Sequence, residues 1–184
     1  MKLYNLLKDD TGLLKAVKLN CQEFIEVSND LPLIKWCSSH YADVHKVKVR
    51  KRKTDDEFTQ MFNSAFTKDY PSLINRSIVI NPEQEANGSE QFYIFPTDGF
   101  KFIYNTEIVN SRRQLTDTLE EINQNMPDGG SNIITDVLSL TYQNTNLSKA
   151  IMDNVEIIVY NIPVFYAVRT NVEYSVLLEI LKDG

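Results

Sequence analysis

Six short apolar runs limit what this chain can fold into: LIKW (33–36), SIVI (77–80), QFYIFP (91–96), FKFIYN (100–105), VEIIVYN (155–161) and VFYAVRT (164–170). Each is rich in β-branched and aromatic residues and is bounded by Pro, Asn, Asp or Gly. Runs of this length and punctuation are strands, because a helix needs a longer apolar period to bury a face. The chain must therefore build sheet from pieces scattered over most of its length.

Helical periodicity fills the gaps. Leu14, Val17, Cys21, Phe24 and Ile25 fall on one face and predict a single helix over 11–27, ended by NDLP. Thr54 and Glu57 stand at capping-box spacing, and Phe58, Met61, Phe62, Ala65 and Phe66 follow on one helical face, an aromatic stripe of the kind that packs a core. Asp55, Asp56 and Glu57 suit the positive end of that helix better than a metal. Two further helices are marked by Leu115, Leu119, Ile122 and Met126, and by Ile133, Ile134, Val137, Leu138 and Tyr142, with the turn PDGG between them. VEYSVLLEIL (172–181) suits either a helix or a strand. The order predicts one α+β domain over 1–184, without repeats or low-complexity segments.

The charge is uneven. Lys46, Lys48, Arg50, Lys51, Arg52 and Lys53 form an acid-free basic run, while the whole 184-residue chain carries a net −6, so the remainder carries −12. Nucleic-acid attraction is driven by neutralised phosphates and released counterions, and the acidic remainder opposes it. Val47 and Val49 alternate with Lys48 and Arg50 at period 2, so the cations read as the solvated face of a half-buried strand and its exit.

Several chemistries are excluded or disfavoured. There is no GxGxxG, GxxxxGK[ST] or HExxH, and Gly is scarce at 6 residues, which argues against a glycine-rich phosphate cradle. Cys21 and Cys37 show neither CxxC nor zinc spacing, so both are expected as reduced thiols in or near the core, and a Cys37–His40 nucleophile pair is disfavoured. His40 and His45 lack a third ligand candidate nearby, and no metal is expected. No window approaches the roughly 20 consecutive apolar residues of a membrane span, and no small-residue cleavage site follows MKLYNLLKDDTG. No membrane partner is expected, and a cytoplasmic setting is.

The segments LPLIKW, VKVRKRKTDDEF, NRSIVI, EANGSEQFYIFPTDGFKFIYNTEI and DNVEIIVYNIPVFYAV occur in this order. The layout resembles an ADP-ribosyltransferase-like family found mainly in tailed bacteriophages. In that family a first strand carries Arg in a PLYRG-like motif, and a basic strand and helix follow. A middle strand then opens with Arg-Ser, an Ala…Gly turn leads to an aromatic FP strand, and a Glu sits late on a hydrophobic strand. The resemblance spans roughly residues 20–169 and implies ADP-ribosyltransferase-like strands with an N-terminal helix and inserted helices.

It also implies a chemistry, cleavage of the nicotinamide bond of NAD with transfer of ADP-ribose. That needs a carboxylate near the cationic sugar and donors on the pyrophosphate. The resemblance points to Glu156 at the ribose, with Lys35, Arg76 and Ser77 lining the NAD site and Tyr93 and Tyr104 as stacking rings. The chain departs from the pattern in three places. Lys35 stands where the family has Arg and lacks its planar fork, apolar Ile78 and Val79 follow Ser77, and Asn154 occupies the place of a second acid. The reading is a degenerate, non-catalytic phage protein, an accessory or virion-associated partner of a host or phage protein in the host cytoplasm or virion. The alternatives are an active NAD-dependent transferase that modifies a host macromolecule, and an α+β domain that touches nucleic acid through residues 46–53.

Overall fold

The computed structural model describes residues 11–50, 60, 77–81, 87–125 and 141–182. The expected strands are present, and the half-buried basic stretch is a strand as well. They are β1 (Ile34–Ser38), β2 (Val44–Lys48), β3 (Ser77–Ile80), β4 (Ser89–Pro96), β5 (Lys101–Tyr104), β6 (Ile157–Tyr160) and β7 (Val164–Arg169). The helices are α1 (Thr11–Asn20), α2 (Gln22–Val27), α3 (Ser111–Asn125), α4 (Leu147–Met152) and α5 (Tyr174–Lys182). Of the helix expected after Thr54 only Gln60 is described, as helical, and the residues Ile133 to Leu138 that mark another lie outside the described residues.

The strands form two antiparallel sheets, one ordered β1-β4-β7-β2 and the other β3-β6-β5. This is an α+β fold. The sheets share strand-to-strand connections. β4 runs into β5 through Thr97–Phe100, and β6 runs into β7 through Asn161–Pro163, so both chains leave one sheet and enter the other side by side. Three features fix that double bend. Asn161 Nδ2 donates to Gly99 O at 2.8 Å, Thr97 Oγ1 donates to Val164 O at 3.1 Å, and both Gly99 (φ 79°) and Asn161 (φ 62°) adopt left-handed backbone. Gly and Asn are the residues that tolerate this conformation at least cost.

The bend also explains why the helix expected over 11–27 is two helices. At Cys21 the backbone leaves helical geometry (φ −130°, ψ 26°). The Asp98 N–H takes Asn20 O at 2.7 Å, Asp98 Oδ1 accepts the Glu23 N–H at 2.9 Å, and Glu23 Oε2 accepts the Gly99 N–H at 2.7 Å. A carboxylate from a distant turn thus supplies the N-terminal cap of α2, and the turn receives one back.

Tyr93 and Phe95, on one face of β4, meet the helices. Phe24 of α2 lies edge-on to Phe95 with ring centroids 5.8 Å apart, and Tyr174 of α5 lies 4.9 Å from Tyr93. The ambiguous C-terminal stretch is a helix because Tyr174, Leu177, Leu178 and Leu181 bury one stripe at i, i+3, i+4, i+7. A contiguous core joins residues of both sheets, among them Ile80, Phe95, Tyr104 and Ile157, with Leu14, Phe24, Leu147 and Leu177 from helices.

Candidate functional site

β3 and its continuation collect three of the residues singled out in the sequence. Lys35, on β1, donates from Nζ to Val79 O of β3 at 2.6 Å, so its ammonium bridges one sheet to the other. Ser77 opens β3 opposite Tyr160 and is buried. Beyond the last paired residues, Ile80 and Ile157, Asn81 and Glu156 face each other, with Asn81 Nδ2 at 3.4 Å from Glu156 Oε2. Val79 and Asn81 are two residues apart, about 7 Å along a strand, so Lys35 and Glu156 engage neighbouring points of the same segment.

Glu156 is the unusual member of this group. It is 3% exposed within an otherwise apolar run. Its backbone N–H donates to Ile108 O at 3.1 Å, and its Oε2 accepts the Ser111 N–H at 3.2 Å. Ser111 is the first residue of α3, whose amide dipoles leave partial positive charge at that end. Asn110, just before the helix, accepts the Arg113 N–H at 3.0 Å, while Gln114 Oε1 accepts the Val109 and Asn110 N–H groups at 2.9 and 3.0 Å. The start of α3 is therefore capped locally by Asn110 and Gln114, and from across the fold by Glu156. This partnership lets a carboxylate sit in the interior, where a lone charge would be costly. Tyr142 lies in the same buried neighbourhood. Burial first, and the Glu156 charge second, push its phenol well above the ordinary range.

The remaining expected residues lie elsewhere. Tyr93 is buried against Tyr174 and donates its hydroxyl to Val172 O at 3.0 Å. Tyr104 is 1% exposed, and its hydroxyl lies 3.3 Å from Gln143 Oε1. Its backbone also exchanges bonds of 2.9 and 2.8 Å with Gln143. Both rings pack in the core. Arg76, Lys51, Arg52 and Lys53 lie outside the described residues. Lys46, Lys48 and Arg50 are exposed along β2 and its exit, while Val47 and Val49 are half-buried. The Lys46 ammonium sits 5.8 Å from the centre of the Tyr166 ring.

Two of the grooves on the described surface lie near the sheets. One, of about 330 Å³, lies between β1 and α4 and is mostly apolar, with Ile34, Trp36, Ile80, Ile151, Met152 and Ile157 in its walls. The other, of about 640 Å³, has Phe100, Phe102 and Tyr160 in its walls together with Glu23, Lys101 and Asn144. Neither is lined by Lys35, Ser77 or Glu156.

The cysteines are buried and unbridged, and burial pushes both thiols up. His45 stacks on Tyr41 with centroids 4.4 Å apart. No group of three or more His, Cys, Asp or Glu residues could hold a metal ion among the described residues, and no described helix is long and apolar enough to cross a membrane.

Sequence reasoning missed Arg169, at the end of β7. Its Nε lies 2.9 Å from Asp43 Oδ1, its Nη2 donates to Ser39 O at 3.3 Å and Tyr41 O at 2.7 Å, and its Nη1 pairs with Glu90. The guanidinium also lies 5.1 Å from the centre of the Phe92 ring. This side chain stitches the β1–β2 turn to β4 and β7, and its fork of donors is spent on that task. Comparison of the chain with protein-family models, curated proteins and solved structures found no match.

Proposed function

We propose that this chain is a non-catalytic interaction protein on an ADP-ribosyltransferase-like scaffold, a phage-encoded accessory or virion-associated component that acts on a host or phage protein. The observation that carries the reading is the Glu156 carboxylate, which is buried and holds the first N–H of α3. A carboxylate that stabilises a sugar cation must face the sugar. Lys35 supports the same reading, since its ammonium is committed to Val79 O rather than presented to a pyrophosphate.

A transferase that uses NAD is the second reading, favoured by the gathering of Lys35, Ser77 and Glu156 around β3. The two are separated by titrating the purified protein with NAD in a calorimeter and following nicotinamide release, with Glu156→Gln beside the wild type. The expected result is neither binding heat nor release. Release by the wild type that falls by about a hundredfold or more in a folded Glu156→Gln protein would establish the transferase, since loss of a key electrostatic contributor has that size of effect.

A further inference from the structure

The basic strand has a second property besides its charge. Among the described residues β2 is an edge strand, paired on one side with β7. The Arg169 N–H bonds Asp43 O and the Val49 N–H bonds Pro163 O, so the odd-numbered residues of this stretch turn their main-chain groups toward β7. Antiparallel geometry then points the N–H and C=O groups of Lys46 and Lys48 to the open side. No other protein hydrogen bond engages them among the described residues.

The side chains of Lys46, Lys48 and Arg50 share one face at strand spacing, about 7 Å apart. All three are exposed, and none makes an ion pair among the described residues. Lysines on an edge strand ordinarily discourage pairing with other chains. Here they also discourage pairing of β2 with β2 of a second copy, which would set cations opposite cations. An incoming strand with acids at every second position meets neither objection. It would satisfy the open main-chain groups and place a carboxylate opposite each cation.

We propose that β2 is a docking edge for an extended acidic polypeptide segment, which adds to the four-stranded sheet as a fifth strand with alternating Asp or Glu opposite Lys46, Lys48 and Arg50. This rests on the reading of the chain as an interaction protein and names the chemistry of its partner. Single-stranded nucleic acid is the other extended anion to consider, but its readers supply exposed aromatic platforms for bases. Among the described residues, the large hydrophobic side chains that are exposed are Leu19, Val27 and Met152, none of them aromatic, and Tyr166 beneath Lys46 is buried.

The test uses the full chain and three fluorescent probes of equal length and charge: a peptide alternating Glu and Thr, a peptide of the same composition with its Glu residues in one block, and a single-stranded oligonucleotide. Anisotropy at physiological salt reads affinity, and amide hydrogen exchange reads strand addition. The alternating peptide is expected to bind about tenfold tighter than the blocked one, as three cross-strand charge pairs allow. It should slow exchange at the Lys46 and Lys48 amides and lose about tenfold in affinity in a Lys46→Glu, Lys48→Glu, Arg50→Glu variant. Equal binding of both peptides without amide protection would reduce β2 to an unspecific anion patch and overturn the proposal. Tighter binding of the oligonucleotide would assign the edge to nucleic acid instead. Failure here leaves the non-catalytic reading standing, whereas NAD turnover would sink that reading whatever the peptides do.

Discussion

Replacing Glu156 with Leu tests whether this acid is structural. The substitution keeps roughly the volume but removes the acceptor of the Ser111 N–H, the first donor of α3. A buried donor hydrogen-bonded to a charged group contributes about 1.5–3 kcal/mol, and loss of a negative charge at a partly buried helix N-terminus adds about 1 kcal/mol. Asn81 has a further interaction and is not orphaned. Removing a buried carboxylate returns part of the cost of desolvating it, which leaves a net loss of about 2–3 kcal/mol. With a urea slope of about 2 kcal/mol per molar, the unfolding midpoint should fall by about 1 M. Glu156→Gln retains an oxygen acceptor and should lose about 1 kcal/mol. Exchange should accelerate first at the amide of Ser111. If Glu156→Leu unfolds within about 0.5 kcal/mol of the wild type, the carboxylate does not hold α3, and the case for a non-catalytic site loses its main support.

Arg169→Met should destabilise by about 2 kcal/mol, because the Ser39 and Tyr41 carbonyls lose a charged donor, while the half-exposed Asp43 and Glu90 contribute little once screened. Arg169→Lys should recover only part of this, as read from denaturation midpoints, since it lacks the fork. At alkaline pH, the buried Tyr142 and Tyr174 phenols titrate above their ordinary value of 10.0, chiefly through burial. Their neutral forms are favoured in the fold, so this stabilisation is complete below that value and is lost as pH rises past it. Thermal midpoints should hold to about pH 9 and then decline, less steeply in Tyr142→Phe.

The strands were legible because each is a short β-branched or aromatic run closed by a turn residue, and such a run says the same thing in any tertiary setting. The break at Cys21 was not, because the groups that compete for Asn20 O and the Glu23 N–H belong to Asp98, about 75 residues away. α4 escaped because six residues give too little periodicity, although Asn146 before it is a residue type that caps helices and accepts the Lys149 N–H at 3.2 Å. At the candidate site, an acid alone in an apolar run marked Glu156 as exceptional. The sequence could not say that its partner would be the start of a helix 45 positions earlier. Arg169 drew no attention because its ligands come from one turn and a strand that are far from it in the chain.

The placement of β6 and β7 governs the order in which the molecule can assemble. Each is an inner strand, β6 between β3 and β5, and β7 between β4 and β2. Every strand pairing described except β1 with β4 involves one of them. During synthesis the earlier strands therefore emerge without the neighbours they need: the β3-β6-β5 sheet cannot close until β6 has left the ribosome, and the four-stranded sheet not until the segment ending at Arg169 has. Such dependence on late, sequence-distant partners makes for slow folding and a long interval of exposed strand edges. In that interval the lysines of β2 would serve the nascent chain before they serve the finished one, by keeping an unpaired edge from seizing the wrong strand.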